Sequence, residues 1–216
     1  MIKVIALLLG ILFFCNCDAQ FYVEPIVGFQ KDLNKESKLK QINSAINISW
    51  KVGRTLEVIL QVQRSWPIAY KSSDASYTTN PSLPVFAAAN KSISPSSLSL
   101  LVGQRIKLVG RATNNSLFFT SYLGVSNQQI KVDYSYDKSN YTILNPDKSV
   151  NETGLYLSGG LEYMRNLKFG RVFAQLLAGG FIHERINYPN SFYFLVPLSF
   201  NVGYSIPVFK KKKHEK

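Results

Sequence analysis

The chain has 216 residues, 25 Lys and Arg against 13 Asp and Glu for a formal net charge of +12, 46% apolar residues and two Cys. That length admits one ordinary domain. A charged fraction of 18% is too low for a disordered polyelectrolyte, and the apolar fraction is enough for a core or a lipid-facing surface.

At the N-terminus Lys3 precedes an apolar run from Val4 to Phe14, and the polar Asn16 and Asp18 then lead to Ala19. This is the three-region pattern of a secretory signal, with cleavage expected between Ala19 and Gln20. The run is too short for a membrane-spanning helix, which needs about 20 apolar residues. Phe14 and Asn16, the residues before Cys15 and Cys17, do not fit a lipid-modified cysteine. Removal of residues 1–19 leaves 197 residues and no Cys, which excludes a disulfide framework, thiol catalysis and cysteine-based metal sites. Lys3 and Asp18 cancel, so the mature chain keeps +12. The tail 210–216, with five Lys and one Glu, accounts for +4 of it.

After Ala19 the apolar pattern has period two. Ile42, Ile46, Ile48, Trp50 and Val52 alternate with Asn43, Asn47, Ser49 and Lys51; Leu56, Val58, Leu60 and Val62 alternate with Glu57, Gln61 and Gln63. The longest row runs Phe192, Phe194, Val196, Leu198, Phe200, Val202, Tyr204, Ile206, Val208. The same reading along the chain predicts eight strands, near 21–30, 42–53, 55–70, 97–109, 116–135, 154–165, 169–183 and 191–209. Short connections, Gly53-Arg54 and Asn166 to Lys168, alternate with long ones, Lys71 to Ser96 and Asp137 to Thr153. An even strand count with alternating short and long connections predicts an antiparallel up-and-down β-barrel over 20–209.

The composition of the two rows predicts which one faces lipid. The quoted apolar rows carry no charge. The opposite rows hold few charges of both signs, Glu24, Lys51, Glu57, Arg105, Lys107, Glu162 and Arg171, among Gln, Ser, Asn and Tyr. A solvated face of a soluble sheet carries many Lys and Glu, whereas mixed charges among neutral polar groups suit a narrow lumen in which acids pair with bases. Trp50, Trp66, Tyr70, Tyr122, Tyr163, Phe169, Phe192 and Tyr204 lie towards strand ends, where interfacial girdles form.

The signal segment, cysteine-free body, eight alternating strands and closing run Asn201 to Val208 resemble the small eight-stranded outer-membrane β-barrel family of Gram-negative bacteria. In that family the closing strand is an insertion signal read by the barrel-assembly machinery, and the resemblance maps it onto Asn201, Gly203, Ile206 and Val208. Many members end on a terminal Phe; here Phe209 is followed by the basic tail. The resemblance implies an integral outer-membrane protein, without enzymatic activity, whose partners are outer-membrane lipid and lipopolysaccharide.

No cofactor fingerprint is present, and no metal site is expected. Export makes nucleic acid an improbable partner for Lys210 to Lys213. The extracellular partner is not readable from sequence. Two alternatives stay open at this point. One is a soluble, lipocalin-like barrel with its apolar rows turned inward. The other is a lipid-modifying barrel enzyme using His183, as in family members that are lipid A deacylases or acyltransferases.

Overall fold

The computed structural model describes residues 20–32, 40–110, 114–182 and 197–208. Ten strands lie among them: β1 (Phe21–Asp32), β2 (Lys40–Lys51), β3 (Leu56–Ile68), β4 (Tyr70–Thr78), β5 (Phe86–Val109), β6 (Asn115–Ser135), β7 (Tyr141–Thr142), β8 (Val150–Leu167), β9 (Gly170–Ile182) and β10 (Pro197–Pro207). All pairings are antiparallel. Eight strands close a ring in the order β1, β2, β3, β5, β6, β8, β9, β10, with β10 returning to β1. Closure leaves no unpaired sheet edge in the ring, the condition for crossing a bilayer with strands.

The eight ring strands are those the alternation predicts. Side chains alternate strictly between a buried lumen face and an outward face. The outward row is apolar and accessible: Val27 is 64% exposed, Leu100 55% and Phe200 53%. The inward row is polar and closed off, with Glu24, Arg105 and Gln175 at 0%. This polarity is inverted relative to a water-soluble barrel, so the lipocalin-like alternative, which needs its apolar rows inside, is corrected. Trp66 and Tyr163 stand on the outward face near opposite ends of the ring, as girdle residues do. Tyr122 does not: it points into the lumen at 1% exposure, because its even position in β6 shares the inward parity of Thr120 and Phe118. Tyr70 packs inward too, against Ile93 and Ile130. Phe192 lies outside the described residues.

The end that carries the short connections, the start of β1 and the end of β10 corresponds to the periplasmic end in the resembled barrels and is called periplasmic accordingly. The turn 52–55 is closed by a Val52 N–H to Leu56 carbonyl hydrogen bond, 3.0 Å. Gly110 ends β5 at φ +132°, a conformation L side chains rarely adopt. Inside the ring, a side chain at Gly203 would collide with the ring of Phe173, its cross-strand partner.

At the opposite end the sheet continues beyond the ring. The segments Lys71 to Ser96 and Asp137 to Thr153, expected as connections, contain β4, the upper half of β5, β7 and the start of β8. β4 continues β3 past a break at Ala69 and pairs with β5 from Tyr70↔Ile93 to Tyr77↔Phe86. These strands escape the periodicity test for a physical reason. Above the membrane neither face meets lipid, so Ser, Ala, Asn and Lys occupy both faces and no apolar row forms.

Candidate functional site

The charged residues of the inward row converge. Strand register places Lys51 opposite Glu57, Glu57 opposite Arg105 and Arg105 opposite Thr120, a row across β2, β3, β5 and β6. From the other side Glu24 comes in on β1, Glu162 on β8 and Arg171 on β9, opposite Ser205 of β10.

Arg105 is the centre of the network. Its Nη1 donates to Glu57 Oε2 at 2.7 Å and Glu24 Oε1 at 3.2 Å, and Nη2 donates to Glu24 Oε2 at 3.1 Å. Its Nε lies 2.7 Å from Glu162 Oε1, an ion pair by distance without the alignment of a hydrogen bond. Arg171 Nη1 donates to Glu57 Oε1 at 2.6 Å; β9 and β3 are diametrically opposed in the ring, so this bond spans the lumen. Arg171 also donates to Glu24 Oε1 at 3.3 Å and to Ser205 Oγ at 3.1 Å, and its guanidinium lies 3.7 Å from the Tyr22 ring centroid.

Neutral donors add hydrogen bonds to Glu24 and to Glu162 Oε2, while Glu162 Oε1 keeps only the ion pair with Arg105. Ser49 and Asn47 donate to Glu24, and Gln175 and Thr120 donate to Glu162 Oε2 at 2.6 and 3.2 Å. Each of the eight ring strands therefore contributes a group. The result is a crossbar of three carboxylates and two guanidiniums in the periplasmic third of the lumen. Charges removed from water are tolerated only with partners of this density.

Of the seven charged lumen candidates, five meet in the crossbar. Lys51, cross-strand from Glu57 at the end of β2, and Lys107, two residues beyond Arg105, line the mouth and form no ion pair among the described residues. Asn201 faces the lumen, Gly203 faces the Phe173 ring, and Ile206 and Val208 are exposed at 45% and 49%. Ala19 and His183 lie outside the described residues, as does the tail 210–216; Gln20 is described and accepts a hydrogen bond from the Lys51 N–H.

Sequence reasoning missed the neutral partners Gln175, Thr120, Ser49 and Ser205. Their shared parity with the charges was the available signal. It also missed a second polar cluster above the membrane. There Lys91 of β5 pairs with Asp74 of β4, 3.2 Å, and with Asp147 of the β7–β8 connection. Tyr134 donates to Asp74 at 3.0 Å and accepts from the Asp147 N–H at 3.0 Å. Burial lowers the Lys91 pKa, but the bonds to Asp147 and Asp74 outweigh it and hold the ammonium above its ordinary value. Burial pushes the Tyr134 phenol up as well.

A ring of eight strands, an outward apolar girdle and a buried, charged inward row are all present. The fold is that of the small outer-membrane β-barrels. Among solved structures this barrel is similar to Neisserial surface protein A, with a TM-score of 0.55 at 10% identity over 88% of this chain and 99% of that one. Two looser alignments are to Ail of Yersinia pestis (TM-score 0.45, 12% identity, 87% and 97% covered) and to the N-terminal barrel domain of Pseudomonas aeruginosa OprF (0.44, 11%, 88% and 100%). No protein-family model and no curated protein matches the sequence. The outward apolar girdle on this fold makes the barrel an integral protein of the outer membrane.

Proposed function

We propose that this barrel is a non-enzymatic, pore-closed envelope protein that carries a folded flap at the cell surface and contacts outer-leaflet lipid and lipopolysaccharide around its rim. The crossbar carries the first part. An eight-stranded ring is just wide enough for its own side chains, and five charged groups tied across its full diameter leave no wide path. Planar-bilayer recording of the purified barrel is expected to show no stable, large conductance steps; steps of porin size would refute a closed lumen.

The upper rim supports the lipid contact. Lys31 and Lys40 stand directly opposite each other on the outward face of β1 and β2, an arrangement of like charges that destabilises a sheet unless an anion lies between. Nearby, Arg64 covers the Trp66 ring at 4.4 Å, and the Trp66 indole donates to Ser44. Cations beside an aromatic girdle suit the phosphates of lipopolysaccharide. The flap of β4, upper β5 and upper β6, tied by Lys91 and Tyr134, is the surface offered to an extracellular partner. Asn201, Gly203, Ile206 and Val208 fit the role of the insertion signal for the barrel-assembly machinery, with the lumen-facing and outward-facing residues in alternation.

A further inference from the structure

Below the crossbar the lumen opens to the periplasm in a vestibule of about 370 Å³. Its wall includes Lys51, Arg54 and Lys107, with Glu57 and Arg171 at its floor. The floor groups are spent on each other: Arg171 donates to Glu57 at 2.6 Å, and Glu57 also holds Arg105 at 2.7 Å. The wall cations are not. Lys51, Arg54 and Lys107 form no ion pair among the described residues, although Lys51 is cross-strand from Glu57.

Even if all three crossbar carboxylates, Glu24, Glu57 and Glu162, are set against the network and the mouth together, five cations face them: Arg105, Arg171, Lys51, Arg54 and Lys107. Among the described residues the surroundings add no acid. The other charged residues described at this end, Arg165 and Lys168, are also cations. A concave mouth with low-dielectric walls and an uncompensated charge concentrates its field on whatever counter-ion enters.

We infer that the periplasmic vestibule is a binding site for a phosphate group, carried either by a small soluble anion or by the headgroup of an inner-leaflet phospholipid. Lys51 and Lys107 act as point charges on flexible stems, and Arg54, on the turn between β2 and β3, brings a planar fork of donors. Phe118, cross-strand from Lys107, and Met164 add an apolar part to the lining, which suits the organic portion of a ligand. The site does not depend on the surface flap or on the lipid contacts of the upper rim.

The mature protein in phosphatidylcholine nanodiscs, titrated calorimetrically with inorganic pyrophosphate, tests this. Saturable binding that weakens with added salt is expected, and Lys51→Gln with Lys107→Gln together should weaken it at least about tenfold, as loss of charge-assisted hydrogen bonds does. Lys131→Gln, on the surface flap, should leave it unchanged. If the double variant does not fold, Arg54→Gln gives the same reading from an exposed turn. A shift to phosphatidylglycerol nanodiscs separates the sources: a matching loss of pyrophosphate affinity means that the lipid headgroup occupies the vestibule, and unchanged affinity means a soluble anion does. Absence of saturable binding in phosphatidylcholine, or equal affinity in wild type and variants, would overturn the site.

Discussion

Arg105 ties the crossbar together, since it touches all three of its carboxylates. Replacing it with Leu keeps bulk but leaves Arg171 alone against Glu24, Glu57 and Glu162. Loss of one member of a buried ion network costs about 3–5 kcal/mol, so Arg105→Leu should lower the urea midpoint of the lipid-refolded barrel by that equivalent. An unchanged midpoint would mean the network contributes nothing to stability. The members of this network were legible in the sequence as mixed charges of one parity, because a lipid-facing row cannot hold them. Which charge meets which was not legible. Arg171 reaches Glu57 across the ring, at a separation of 114 residues, and no local pattern encodes a contact across a diameter.

At the scale of elements, the membrane strands and the surface flap obey different rules. β2, β3 and β10 announce themselves by alternation, because one face must meet lipid. β4 and upper β5 do not, and their fold rests instead on a small apolar patch of Ile93, Ile130, Tyr70, Val132 and Val150 under the Lys91 staple. Lys91→Ala should therefore speed protease cleavage between 136 and 149 several-fold while the unheated gel migration of the barrel stays the same. The staple also has a sign with pH. The Lys91 ammonium is held above its ordinary value of 10.5, so its contribution is complete below 10.5 and is lost only as pH rises through the raised value. Protease resistance of this segment should accordingly be flat from pH 7 to 10 and fall beyond that; a fall near neutrality would show that another group controls it.

As a whole molecule the barrel is an apolar shell around a polar filling. Its net +12 charge, which on a soluble protein would suggest nucleic acid, is not carried by the crossbar, where three carboxylates outnumber two guanidiniums; four units belong to the tail and much of the remainder to the periplasmic mouth and the upper rim. Urea-washed outer membranes should retain the protein, and it should migrate faster on gels when unheated than when boiled. Recovery from the soluble periplasm would contradict the membrane assignment.

The crossbar also bears on how the ring forms. Glu24 and Arg171 are 147 residues apart, and Ser205 joins from the last strand. Until β10 docks on β1, a bilayer-inserted sheet would carry Glu24 beside an open edge without one of its two guanidinium partners. Contacts of such long sequence separation form late and slowly. The network thus ties charge neutralisation to ring closure and makes insertion cooperative: an incompletely zipped barrel is electrostatically penalised, and the last strand relieves that penalty in one step.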